Sequence, residues 1–98
     1  MNTERTSLFL MANLGAEVSR IISLQEQHEV VLAKEALSRA HKIIIEIKTL
    51  PDMKTRLQEM NALSDVIDNI LEPQPTLHIS TQHIKSYFVP FVVRLMAG

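Results

Sequence analysis

Apolar residues recur at intervals of three and four positions along every long segment of this 98-residue chain. That spacing places them on one face of an α-helix, whereas a half-buried strand would alternate apolar and polar residues. The chain holds only two glycines and four prolines, so few positions can end a helix. Pro51, Pro73 and Pro75 divide it, because proline removes a helical hydrogen bond and biases the preceding residue away from helix. The sequence therefore predicts an all-α fold.

We expect one domain, residues 1–98, folded as a four-helix up-and-down bundle. The predicted helices cover about residues 4–27, 29–49, 51–71 and 81–97, with an extended linker at 72–80. No glycine or proline separates the first two helices, so one continuous helix over residues 4–49 is the alternative. We favour a turn, because Gln25, Glu26 and Glu29 occupy positions where apolar residues would have to continue.

The apolar faces of the helices form the predicted core. In the second helix the face contains Val30, Leu32, Ala33, Ala36, Leu37, Ala40, Ile43, Ile44 and Ile47, and in the third it contains Met53, Leu57, Met60, Leu63, Ile67, Ile70 and Leu71. The first helix has Gly15 in the middle of its apolar side, between Ala12 and Ser19. Because glycine costs about 1 kcal/mol relative to alanine in a helix, we expect a facing helix to approach closely there. The alternative is a helix that begins only after Gly15.

The last helix carries more apolar surface than one contact can cover. One face contains Ile84, Tyr87, Phe88, Phe91, Val92 and Leu95, and a second face beside it contains Val89, Val93 and Met96. We expect Phe88 and Phe91 to anchor the helix in the core, while Val89, Val93 and Met96 form an interface with a second copy of the chain. A different protein is the alternative partner. The alternative within one chain is a central last helix, covered on both faces.

Composition excludes several classes of function. The formal net charge is −1, with 21% charged and 46% hydrophobic residues, which lacks the basic excess of most nucleic-acid-binding proteins. The chain has no cysteine, so disulfides, thiolate zinc sites and a cysteine nucleophile are excluded. Phosphate-binding glycine loops, a His-Glu-x-x-His pair and a Gly-x-Ser-x-Gly elbow are also missing from the sequence. We therefore predict a non-catalytic assembly or protein-interaction module that needs no cofactor and binds no nucleic acid.

Two other functions are kept as alternatives. Asp65, Asp68 and Glu72 are spaced so that their carboxylates fall on one helix face, as magnesium ligands would, which suggests a small metal-dependent enzyme or sensor for a phosphorylated ligand. Lys34, His41 and Lys48 form a strip that suggests a nucleic-acid accessory protein. The four histidines, His28, His41, His78 and His83, do not have the spacing of a metal site.

The segments nearest the two termini have some features of membrane contact. Arg5 precedes a short apolar patch, as in a secretory signal peptide, but Glu4 and Asn13 interrupt that pattern. The apolar run near the C-terminus is stopped by Arg94, far short of the roughly 20 residues that a spanning helix requires. We expect a cytoplasmic protein without a membrane partner.

Overall fold

The structure is a computed structural model that describes residues 3–72 and 80–97 of the chain. Four α-helices make up most of these residues: α1 (Thr3–Glu26), α2 (Val30–Lys48), α3 (Leu57–Ile70) and α4 (Thr81–Ala97). A 3₁₀ turn over Pro51–Arg56 leads directly into α3, so the segment predicted as one helix from residue 51 begins in a tighter form. The described residues contain no strand, and the prediction of an all-α fold is confirmed. Most of the predicted linker at 72–80 lies outside the described residues.

Helix α1 is the centre of the fold. It packs against α2 and α4 and also contacts α3 and the 3₁₀ turn. Its buried apolar residues are Met11, Leu14, Val18, Ile21 and Ile22. These residues lie on one face of the helix, as expected for a helix whose apolar stripe faces the core. The alternative in which the last helix is central is therefore wrong, because α1 holds that position.

A tight turn separates α1 from α2, as the interrupted apolar pattern predicts. His28 has a φ of 60°, the left-handed conformation that commonly ends a helix. The backbone N–H of His28 donates to the carbonyl oxygen of Gln25 at 3.1 Å, and that of Glu29 donates to Leu24 at 2.9 Å. These two bonds form a Schellman motif and satisfy carbonyls that the end of α1 would leave unpaired. One continuous helix over residues 4–49 is thus wrong.

Small residues let α2 lie close against α1. The buried residues of α2 are Ala33, Ala36, Ala40, Ile44 and Ile47, spaced by three and four positions. Val30, Leu32 and Leu57 were predicted to be inner residues but are exposed. Val30 and Leu57 are each the first residue of their helix, and Leu32 lies at the edge of the buried stripe of α2. The predicted core is therefore wrong at these three positions.

Helix α4 lies against one side of α1. Phe88 sits over Gly15, and the Nη1 of Arg5 donates to the carbonyl oxygen of Leu95 at 3.5 Å. The close approach predicted at Gly15 is confirmed, and a helix that begins only after Gly15 is wrong. Among the described helices, only α1 comes close to the backbone of α4. Much of the circumference of α4 is therefore not covered by the other residues that the structure describes.

Candidate interaction surface

The outer side of α4 exposes a group of large apolar side chains. Val89, Val93 and Met96, the residues predicted to form an interface, are 56%, 58% and 81% exposed. Val92 beside them is also exposed, although the sequence pattern assigns it to the inner face. These positions are spaced by three and four residues and therefore lie next to one another on the helix.

The inner side of α4 is firmly buried. Ile84, Phe88 and Phe91 are each less than a tenth exposed and belong to the same core as the apolar side of α1. Every buried side-chain nitrogen or oxygen among the described residues has a hydrogen-bond partner. A buried polar group that lacks a partner would point to an internal site, and the described interior offers none.

Helix α1 also exposes a large apolar side chain, that of Phe9. Its side chain is 53% exposed, although it is a large aromatic residue. It lies one helical turn after Arg5, which contacts the backbone of α4 at Leu95. Phe9 therefore lies on the same side of α1 as Arg5. We call the group of Phe9, Val89, Val92, Val93 and Met96 the outer patch.

Sequence reasoning missed Phe9, because it lies outside the apolar stripe of α1. One signal was present: a lone phenylalanine on an otherwise polar helix face, near Asn13 and Arg20. Single exposed apolar residues are common on protein surfaces and need no explanation by themselves. Phe9 becomes of interest because Arg5, one turn before it, contacts α4.

A polar cluster links α4 to α3 on the side away from the outer patch. The hydroxyl of Tyr87 donates a hydrogen bond to Oε1 of Glu59. Arg56 donates two hydrogen bonds to the same carboxylate, from Nε to Oε2 at 2.7 Å and from Nη2 to Oε1 at 2.8 Å. The guanidinium carbon of Arg56 also lies 5.4 Å from the centre of the Phe91 ring, within the range of a cation–π contact. Through Arg56 and Glu59, the cluster therefore contacts two aromatic residues of α4, Tyr87 and Phe91.

The electrostatics of this cluster match a structural role. The hydrogen bonds from Arg56 lower the pKa of the Glu59 carboxyl, and the same bonds raise the pKa of the Arg56 guanidinium. Burial of the phenol, and then its bond to Glu59, raise the pKa of Tyr87 well above its usual range. At neutral pH Glu59 and Arg56 are charged and paired, and Tyr87 is a neutral donor. An acid or base poised for proton transfer would instead have a pKa near neutrality.

Two shallow pockets lie on either side of this cluster. One of about 280 Å³ is lined by Ser7, Leu8, Met11, Asp52, Met53, Arg56, Phe91 and Arg94. Within it, the buried Ser7 donates from Oγ to Oδ2 of Asp52 at 2.6 Å. A second of about 290 Å³ lies between α3 and α4 and is lined by Glu59, Ala62, Leu63, Val66, His83, Ile84 and Tyr87. Both volumes fall just below the usual range for ligand pockets. The first pocket pairs the Ser7 hydroxyl with the Asp52 carboxylate, but none of the described residues that line it is a histidine that could act as a general base.

The three carboxylates proposed as metal ligands do not converge on one point in the structure. Asp65 and Glu72 are exposed on α3 and just beyond it, while Asp68 turns toward α2 and contacts Nε2 of His41 at 2.6 Å. Among the described residues, no three His, Asp or Glu side chains are arranged to hold a metal ion. His78 lies outside the described residues.

The strip proposed for nucleic-acid contact is not uniformly positive. Lys34 and Lys48 flank His41 on α2, but the imidazole of His41 is bonded to the Asp68 carboxylate. This places a negative charge in the middle of the strip. Such a charge weakens the attraction to phosphate on which nucleic-acid binding depends.

Helix α1 also has the length and composition of a membrane-crossing segment. The stretch is Arg5–Glu26, and α1 is the one such helix found in the part of the chain that the structure describes. A core helix of a soluble protein and a signal sequence share these properties. In this fold the apolar side of α1 packs against α2 and α4.

Comparison of the chain with protein-family models, with curated proteins and with solved structures finds no match. Function is therefore inferred from the residues and their arrangement alone.

Proposed function

We propose that this protein is a non-catalytic assembly or protein-interaction module that forms a homodimer through α4. The observation that carries the proposal is the exposure of Val89, Val93 and Met96 on a helix whose other side is anchored by Phe88 and Phe91. Contiguous apolar surface of this kind is rare on monomeric proteins unless it contacts something. Because the anchoring residues hold α4 in place, the patch is presented on a rigid element.

We also infer that the four helices alternate in direction, as in an up-and-down bundle. Three contacts between successive or neighbouring helices support this arrangement. Nε of Arg39 in α2 donates to Oε2 of Glu17 in α1 at 2.9 Å, and His41 in α2 meets Asp68 in α3. The contact of Arg5 with Leu95 joins the start of α1 to the end of α4. In this arrangement α4 lies at the edge of the bundle, where a second molecule can reach it.

A second copy is the simplest partner for the outer patch. Its apolar side chains offer no hydrogen-bond donor or acceptor that would select a polar partner, and another copy presents the same apolar surface at the same concentration. Symmetric dimers are also the most common assembly of soluble proteins. Burial of apolar surface contributes about 25 cal/mol for each Å² removed from water, so covering the patch is favourable.

The proposal is tested by the solution mass of the protein. Light scattering on the wild-type chain at about 100 µM, a concentration at which a micromolar dimer is mostly formed, should give twice the chain mass of 11.1 kDa. The variant Val93→Asp should give the mass of one chain while retaining its helical circular dichroism, because the new charge would be buried only in the dimer.

Val31→Asp is the matched control, since Val31 is 72% exposed on α2 and lies outside the outer patch. It should remain a dimer. A wild-type mass of one chain would refute the homodimer. Equal dissociation of both variants would show that the association is not specific to α4.

A further inference from the structure

Charge is distributed unevenly along α4. Between Thr81 and Ala97 the helix contains no acidic residue, while Lys85, Arg94 and His83 are basic. Lys85 precedes Val89 by four residues, so it lies on the same exposed side as the outer patch. The side of α4 that carries the outer patch is therefore cationic at Lys85 and apolar from Val89 to Met96, while Arg94 lies on a different side of the helix.

This distribution bears on how two α4 helices can face each other. A parallel pair would place Lys85 directly against Lys85 of the second copy, and like charges in contact are destabilising. An antiparallel pair centred between Val89 and Met96 would place the apolar segments against each other. At about 1.5 Å of rise per residue, Lys85 would then lie roughly 4–5 Å beyond the end of the opposite α4. The last carbonyls of a helix carry partial negative charge and attract a cation there.

The area that a stable dimer interface requires suggests that Phe9 also takes part in the contact between the two copies. A stable interface covers about 800 Å² on each partner and involves about 20 to 30 residues. The exposed apolar segment of α4 runs only from Val89 to Met96, about 10 Å of helix, which is too short to supply that area. We expect the interface to continue onto the side of α1 that carries Arg5, which contacts Leu95 of α4, and Phe9 on that side is more than half exposed. Partly buried aromatic residues are the usual anchors of such interfaces.

We infer that the dimer is formed by two antiparallel α4 helices, related by a two-fold axis between Val89 and Met96, with Phe9 of each copy as a second anchor. This inference rests on the proposed homodimer and specifies its geometry. A disulfide requires Cα atoms about 4.4–6.8 Å apart, so cysteine pairs report which residues face each other. The chain has no cysteine of its own, so each introduced thiol is the only one present.

The experiment uses two variants of the full chain, Val89→Cys and Met96→Cys, oxidised separately and as an equal mixture. In the antiparallel dimer residue 89 faces residue 96, so the mixture should give a mixed disulfide dimer. Each variant alone should give little, because its own thiols would be about 10 Å apart along the helix. Mass spectrometry of the linked peptides identifies the pair.

The other outcomes separate the two proposals. Disulfides within each variant alone, without the mixed product, would overturn the antiparallel geometry but leave the homodimer standing. A two-chain mass without any disulfide would also overturn the inference, since α4 would then lie away from the axis. A one-chain mass would refute the homodimer, and the geometry with it.

The role of Phe9 is tested by Phe9→Ser in the cysteine-free chain. We expect the dimer Kd to rise by at least about 30-fold, the effect of losing an interface anchor. The circular dichroism spectrum should not change, because Phe9 contributes little to the core of its own chain. Ile45→Ser is the control, since Ile45 is 64% exposed on α2, and its Kd should match the wild type. An unchanged Kd for Phe9→Ser would exclude Phe9 from the interface.

Discussion

Gly15 of α1 and Phe88 of α4 are in direct contact, and the contact leaves no room for a side chain at Gly15. A Cβ added there would lie 2.8 Å from both Cβ and Cγ of Phe88. Carbon atoms pack favourably at about 3.5–4.0 Å, so this position requires glycine. The contact therefore sets the distance between α1 and α4, and with it the position of the outer patch.

Gly15→Ala should lower the free energy of unfolding by about 1–3 kcal/mol, the usual effect of inserting a methyl group into a packed contact. The clash involves atoms next to the Phe88 backbone, which cannot rotate away. The measurement is urea unfolding followed by circular dichroism. Ala16→Gly at the next, exposed position is the control. It should lower the free energy of unfolding by about 1 kcal/mol, because glycine has a lower helix propensity than alanine. If Gly15→Ala stabilised the protein instead, the contact would not be tight.

The fold class and the need for space at Gly15 were predictable because they depend on local information. A small residue in the middle of an apolar stripe indicates a close neighbour, whichever helix that neighbour is. The identity of the neighbour was not predictable, because several apolar faces of similar character compete for α1. The central position of α1 results from that competition, and only the assembled core decides it.

On the surface, too, some features were predictable from the sequence of one helix and others depend on how the helices pack. The exposure of Val89, Val93 and Met96 follows from a helix with two apolar faces, which the sequence displays. The bond between Tyr87 and Glu59 does not, because Tyr87 was counted as an apolar core residue and its partner is 28 positions away. The contact of Arg5 with Leu95, one turn before Phe9, likewise depends on how α1 and α4 pack, which no single segment specifies.

His28 ends α1 in a conformation that costs free energy for any residue with a side chain. Its φ of 60° is readily adopted by glycine, which is the usual residue at this position of a Schellman motif. His28→Gly should therefore raise the free energy of unfolding by about 0.5–1 kcal/mol in urea. Gln27→Gly, one residue earlier, should lower it by a similar amount, because glycine there only adds freedom to the unfolded chain. A loss of stability in His28→Gly would mean that the imidazole makes a contact that outweighs the strain.

The pKa of Tyr87 can be measured directly, because the chain has one tyrosine and no tryptophan. Burial and the bond to Glu59 raise the pKa of Tyr87 in the folded state. The stabilisation that its neutral form provides is thus complete below the unfolded-state pKa of about 10 and is lost as the pH rises above it. The ultraviolet absorbance of tyrosinate should rise at a higher pH than in a free tyrosine.

Glu59→Gln and Tyr87→Phe serve as comparisons for that titration. In Glu59→Gln the phenol should titrate at a lower pH than in the wild type, because a neutral amide no longer opposes tyrosinate. In Tyr87→Phe the loss of stability above pH 10 should be smaller than in the wild type. A wild-type titration at the pH of free tyrosine, with helical structure intact, would contradict the contact between Tyr87 and Glu59.

Pro90 lies within α4 and is exposed, one residue after Val89 of the outer patch. Proline has no N–H to donate to the carbonyl of Ser86, and in a helix interior it costs about 3 kcal/mol relative to alanine. Because Pro90 is exposed, water can donate to the carbonyl of Ser86 and offset part of this cost. Pro90→Ala should therefore raise the free energy of unfolding by about 1–3 kcal/mol. Ser86→Ala, one turn earlier and also exposed, is the control and should change it by less than about 0.5 kcal/mol. The two variants are compared by urea unfolding at one protein concentration, since the proposed dimer would make stability depend on concentration. A Pro90→Ala variant less stable than the wild type would contradict a net cost of the proline in α4.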